Sequence, residues 1–295
     1  MKLTLLGTGT PAPSLKRASS GYLIEFEDMR ILLDHGPGAY HRLLQTGTNP
    51  SQITHLLFSH LHFDHCLDYP RLVLTRWDQG HGAIPELEVF GPPPTRQMTD
   101  SLFSPTGAYA ADIQARVNHP ASIETYQLRG GKPPRIAPKP HVREVAPGDQ
   151  FTLGAIDVQV IEVPHVQPWL TCLAYRLDGP SGSIVYSGDS GPCAELEELA
   201  KGCDVMIHMC HQLSGTDLHK DWLAGACGHL EVADAAQRAG AGGLVLTHLP
   251  DQIDVPGVRE RVLGEIANRY DGHVYWGEDL LQVPLKGPAT RRHTG

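Results

Sequence analysis

The chain has 295 residues, 41% of them apolar, and carries 17 histidines against 6 cysteines. A chain this long buries about three quarters of its unfolded surface and needs no disulfide scaffold. Cys66, Cys172, Cys193, Cys203, Cys210 and Cys227 are scattered without a C-x-x-C pair, which argues against a thiolate zinc knuckle and a secreted framework. The 24 basic and 33 acidic residues leave a net charge of −9, which recommends no broad cationic surface for nucleic acid and leaves room only for a local basic groove. No run approaches the roughly 18 apolar residues of a membrane span, and Met1 to Gly7 enters a Gly/Pro turn too early for a signal peptide. A cytoplasmic protein with no membrane partner is expected.

In chain order, β-rich runs at Leu3 to Leu6, Gly21 to Phe26, Arg30 to Leu33 and Ile53 to Phe58 each end in turn chemistry. Amphipathic helices fit Pro37 to Gln45 and Leu67 to Trp77. Residues 91–141 are loaded with proline and glycine around a helical-looking Thr95 to Leu102 and a less regular Ala108 to Val117. That segment reads as an inserted excursion. Strands resume at Val142 to Val145, Ala155 to Val163, Thr171 to Leu177, Ser183 to Ser187 and Val205 to Met209. Helices at Ala194 to Ala200, Leu230 to Ala239 and Val258 to Asn268 then alternate with strands at Leu244 to Thr247 and His273 to Tyr275. Residues 287–295 are expected to be a disordered tail. Neither half is a clean β-α-β-α repeat, so the pattern predicts one α/β domain over residues 1–295, with two packed sheets and helices outside.

The chemistry concentrates in Ser59-His60-Leu61-His62-Phe63-Asp64-His65, between an apolar strand and a helix. Three imidazoles and a carboxylate within six residues make a nitrogen and oxygen site for a borderline divalent ion. One tetrahedral ion could hardly accept all four and distant ligands too, so the density points to two metals.

H-x-H-x-D-H after a strand resembles the signature of the metallo-β-lactamase superfamily, whose αββα sandwich matches the expected element order. The resemblance extends along the chain. Asp34 in Leu33-Asp34-His35-Gly36 resembles the first-motif aspartate, which orients ligands from behind. His165 in Val163-Pro164-His165, Asp189 in Ser187-Gly188-Asp189 and His248 in Leu246-Thr247-His248 resemble the remaining ligands. The likeness implies one ion on His60, His62 and His165, another on Asp64, His65 and His248, and Asp189 shared. Zinc is the default, with manganese or iron tolerated.

The opening Leu6-Gly7-Thr8-Gly9-Thr10-Pro11 satisfies a dinucleotide G-x-G-x-x-A on paper, but Pro11 and Pro13 leave no room for the helix that motif needs. It looks instead like the start of ribonuclease Z-type members, a branch with phosphodiesterase and arylsulfatase-like relatives. His229 in Gly228-His229 resembles the histidine that assists the leaving group there, and His211 is a candidate support for the ligands. Two departures stand out. Only 24 residues separate His165 from Asp189, too few for the tRNA-gripping arm, and neutral Gln212 stands where the family orients its catalytic histidine with glutamate.

The resemblance implies a binuclear hydrolase in which a metal-bridging hydroxide, held by Asp64, attacks a phosphodiester or other ester and His229 protonates the leaving oxygen. The departures favour a small-molecule substrate over RNA. The runner-up is a tRNA 3′-processing endonuclease, and a third reading is a non-hydrolytic iron oxygenase or binding protein on the same fold. The 91–141 excursion reads equally as a lid, with Tyr109, Arg116, His119, Tyr126 or Arg129 touching substrate, or as a rigid surface loop or dimer contact. A homodimer is what the family likeness suggests.

Overall fold

A computed structural model describes residues 1–285; the expected tail at 287–295 lies outside the described residues. Two seven-stranded mixed sheets face each other. In the first sheet, β1 (Lys2–Gly7) pairs antiparallel with β14 (Gln282–Val283) and β2 (Gly21–Phe26), and β2 pairs antiparallel with β3 (Met29–His35). Three parallel pairings then add β4 (His55–Leu57), β5 (Glu88–Gly91) and β6 (His141–Glu144). The second sheet repeats that scheme. Its antiparallel half is β7 (Gln150–Leu153), β8 (Ile156–Glu162), β9 (Leu173–Gly179) and β10 (Gly182–Tyr186). Its parallel half continues through β11 (Val205–Met209), β12 (Gly243–Thr247) and β13 (His273–Trp276).

Alternation along each strand sends one set of side chains between the sheets and the other outward. Leu3, Ile24, Ile31, Leu57, Val158, Leu177, Ile184 and Val245 fill the space between them. The outward face of sheet one, with Leu23, Leu32 and Leu56, is covered by α1 (Ala39–Gln45) and α3 (Tyr69–Gly80). The outward face of sheet two packs on α7 (Ala194–Leu199), α9 (His229–Ala239) and α10 (Val258–Ala267), through Leu196, Val232, Ala236, Val262 and Ile266. The helix–sheet–sheet–helix order agrees with the sequence reading. No helix among the described residues is long and apolar enough to cross a membrane.

The 91–141 segment departs from its expected role. It carries three helices, α4 (Thr95–Phe103), α5 (Ala110–Asn118) and α6 (Pro120–Leu128), and forms the crossover joining parallel strands β5 and β6. Phe103 and Ile113 are buried in the outer layer of sheet one, and Arg135 stacks 4.2 Å over Trp77 of α3. Four of the five side chains offered as substrate contacts engage the protein itself. Tyr109 stacks on Phe103, Tyr126 is buried under Arg135, and Arg116 and Arg129 pair with Asp78. His119 lies exposed at the start of α6. The high proline and glycine content marks the turns between these helices.

Candidate metal centre

The seven expected ligands converge where strand ends of both sheets meet. His60 follows β4, and His62 caps α2 (Phe63–Cys66), the short turn that carries Asp64 and His65. His165 follows β8, Asp189 follows β10 and His248 follows β12. They form two groups in which the ligand atoms lie within 4.8 Å of one another: His60, His62, His165 and Asp189, and Asp64, His65 and His248. Asp189 also reaches the second group, its Oδ2 standing 3.4 Å from His65 Nε2 and 3.2 Å from His248 Nε2.

Hydrogen bonding fixes which nitrogen His65 and His165 offer. Asp34, fully buried at the end of β3, accepts from the Ser59 N–H at 2.7 Å, the Ser59 hydroxyl at 2.6 Å, the Tyr186 hydroxyl at 2.6 Å and His65 Nδ1 at 2.8 Å. His65 therefore keeps its hydrogen on Nδ1 and leaves Nε2 as the nitrogen it can offer to a cation. The carbonyl of Gly225, 2.8 Å from Nδ1, does the same for His165. Both Nε2 atoms are buried without a hydrogen-bond partner, which is costly for a polar group unless a cation completes the site. The donor set and these orphaned nitrogens fit divalent metal.

Strain accompanies the support. Asp34 and His248, at φ 54° and 55°, hold left-handed backbone that side-chain-bearing residues rarely adopt, and such strain collects at functional sites. Burial alone would raise the Asp64 and Asp189 carboxyls. A hydrogen bond from His248 and the charge of nearby His65 hold Asp64 below the usual range, and the charges of His248 and His65 hold Asp189 well below it. Burial, then the neighbouring His65, pushes His60 well down. His65 moves the other way: burial opposes its charge, but Asp189 and Asp34 raise it well above the ordinary imidazole value.

The remaining expected residues divide. His211 stands beside the ligands, its Nδ1 2.8 Å from His248 Nδ1, and lines the cavity above them. Burial, then His248, pushes its imidazole down to about 4. His229 is not brought to that cavity, which corrects its expected role at the leaving group. Its ring is buried at the start of α9, with Nδ1 accepting from the Ser214 N–H at 3.2 Å and Nε2 2.6 Å from Glu265. Gln212 does not face His229 either; its Oε1 accepts from Trp222 Nε1 at 2.5 Å.

The cavity holds about 720 Å³, with His62, Asp64, His165, Asp189 and His248 among its lining residues. Trp169, Trp222, Pro11, Pro164 and Val166 line its sides. Sequence reading passed over Trp169, Trp222 and α8 (Lys220–Gly225), a helix of six residues with too little periodicity to announce itself. The chain packs tightly here. A Cβ on Gly225 would lie 2.2 Å from the His165 carbonyl oxygen, and one on Gly191 would lie 1.9 Å from that of Ala224.

The sequence profile described as "Beta-lactamase superfamily domain" matches residues 29–249. The chain belongs to the metallo-β-lactamase superfamily. Within it, a protein named ribonuclease Z from Mycobacterium avium (strain 104) is 30% identical, covering 98% of this chain and 100% of that protein. Another of that name from Mycolicibacterium gilvum (strain PYR-GCK) is 29% identical, over 97% of this chain and 96% of its own length. Among solved structures, the metallo-beta-lactamase fold protein YhfI from Bacillus subtilis superposes with a TM-score of 0.71 at 23% identity, covering 96% of this chain and 98% of that one. The short form of human tRNase Z gives 0.67 at 20% identity, covering 97% and 99%. This superfamily member falls in the ribonuclease Z-like branch and is a metal-dependent hydrolase, with His and Asp residues positioned to bind metal.

Proposed function

We propose that the chain is a binuclear enzyme that hydrolyses a phosphodiester or another ester in a small molecule. His60, His62 and His165 would hold one divalent ion and Asp64, His65 and His248 the second. Asp189 carries this reading: its Oδ2 stands 4.0 Å from His60 Nε2, 3.7 Å from His165 Nε2, 3.4 Å from His65 Nε2 and 3.2 Å from His248 Nε2, so one oxygen faces both groups. The nitrogen-rich donor set favours zinc, with manganese or iron as tolerated substitutes. When bound, such ions lower the pKa of a shared water toward neutrality and offset charge developing on the electrophile.

The chain's own residues supply position. Asp34 aims His65, and the Gly225 carbonyl aims His165. Asp64, kept ionised at the cavity floor, accepts a hydrogen bond from the attacking water. His211 is the cavity histidine outside the ligand groups. With His248 coordinating through Nε2, the hydrogen on His248 Nδ1 would be donated to His211 Nδ1, leaving the hydrogen of neutral His211 on Nε2 as a hydrogen-bond donor to the leaving oxygen. A homodimer, suggested by the family likeness, belongs to the same proposal and is checked by light scattering.

The test is metal analysis together with a substrate screen. Two zinc or manganese ions per chain, and turnover of an activated phosphodiester, ester, lactone or sulfate that is lost in Asp189→Ala, is the expected outcome. A metal-replete chain inert on all four classes overturns the proposal. A second reading, tRNA 3′ processing, draws on the full-length similarity to proteins named ribonuclease Z. Against it, β9 and β10 join through a tight hairpin where a tRNA-gripping arm would be inserted. Cleavage of precursor tRNA at the discriminator base would establish it.

A further inference from the structure

We infer that Trp169 and Trp222 form an aromatic clamp that takes a planar, uncharged group of the substrate beside the scissile bond. Where that bond lies rests on the hydrolase proposal; the clamp rests on the cavity walls. An exposed indole forgoes the burial of 150–250 Å² that makes tryptophan useful in a core. Here two line one cavity, Trp169 at 86% exposure and Trp222 at 48%.

The Trp222 ring and the backbone that carries Trp169 are held in place. Trp222 donates from Nε1 to Gln212 Oε1 at 2.5 Å, and its ring centroid lies 5.3 Å from that of His211. The Gln212 position, where the branch carries a glutamate, is thus given to fixing an aromatic wall. Trp169 sits four residues after His165, on a loop braced by Gln167, which donates to the Val163 carbonyl at 2.7 Å and accepts from the His165 N–H at 2.8 Å. The Trp169 N–H donates to the Val166 carbonyl at 3.1 Å. One indole therefore follows a ligand-bearing loop, and the other lies on the helix whose Gly225 carbonyl orients the same ligand.

Charge narrows the occupant further. Among the described residues no lysine or arginine lines the cavity, and Asp221 is its one carboxylate outside the ligand groups. A polynucleotide is gripped through its phosphates by cationic side chains. A substrate with several anionic groups would meet Asp221 without compensation. The walls fit a compact ester or phosphodiester with at most one anionic group at the metal ligands and an aromatic ring between the indoles.

The test uses a pair of phosphinates in the zinc-loaded full chain, because a phosphinate mimics a phosphodiester but has no ester bond to hydrolyse. Naphthyl(methyl)phosphinate is compared with ethyl(methyl)phosphinate by calorimetry and by quenching of tryptophan fluorescence. Stacking predicts about tenfold or greater preference for the naphthyl compound. Trp169→Ala and Trp222→Ala each reduce that preference, Trp169→Phe retains part of it, and bound zinc stays at the wild-type level. Equal affinity for the two compounds, or an unchanged preference in both alanine variants, overturns the clamp. Preference without turnover of any ester would leave the clamp standing and bring down the hydrolase proposal; turnover without preference would do the reverse.

Discussion

The two sheets share one pairing scheme, three antiparallel pairings followed by three parallel ones, yet they contribute to the candidate metal centre in opposite ways. Sheet one delivers four candidate ligands from a single connection after β4, with Asp34 behind them at the end of β3. Sheet two delivers its candidate ligands singly, from the ends of β8, β10 and β12, with Asp189 of the β10 end facing both groups, and adds the indoles of the cavity wall. One sheet concentrates donors; the other spreads them and shapes the space above. Equal topology therefore does not fix equal chemical duty, and the loop after each strand decides it.

Breaking the shared carboxylate is the sharpest test of that division. Asp189→Ala should lower kcat/KM on the order of 10³-fold, the scale of losing a principal electrostatic stabiliser, and metal analysis should show both ions depleted. Asp34→Ala acts from the other sheet and should cost 10–100-fold in metal affinity, about the value of a partner behind a ligand. It should also destabilise by about 1–3 kcal/mol for each buried group left unpaired, Ser59 and Tyr186 among them, read as a lower urea midpoint.

Acid should probe both sheets at once. His35 at the end of β3 is held down to about 3 by burial and then Arg71, and His208 in β11 is held down to about 4 by burial. Both stay neutral in the folded chain while the unfolded chain takes up protons below about 6.5. Their contribution is present above that value and is lost as pH falls, by about 1.4 kcal/mol per unit for each group. Urea titrations at pH 7, 6 and 5 check this, and His208→Gln should flatten the slope by one group's share. The smallest effect on chemistry belongs to His229→Ala. Its loss should appear as about 1–2 kcal/mol of stability, from unpairing Ser214 and Glu265, with kcat nearly unchanged. A large fall in kcat with intact stability would return His229 to the reaction.

The difference between the sheets also explains what the sequence disclosed. His60, His62, Asp64 and His65 lie within one turn of chain, so their spacing alone announces a metal site. His165, Asp189 and His248 became legible through resemblance, since only the topology brings them together. His229 was misplaced because its fate is decided by Glu265, 36 residues further on and invisible to a local pattern. The 91–141 crossover was misread for a similar reason. β5 is four residues long, too short to show its period, and without it the helices that follow look detached from a sheet.

The near-contact of Gly225 with the His165 loop, and of Gly191 with Ala224, bears on how this protein can change over evolutionary time. With no room for even a methyl group at either crossing, the ligand loop and the wall helix are geared together. Widening the entrance by swinging that helix outward would drag a ligand with it, so new substrates are more readily gained by exchanging side chains at Trp169 or Trp222 than by remodelling backbone. Lineages descended from this chain should therefore diversify in the reach of those two positions while the paired glycines stay fixed.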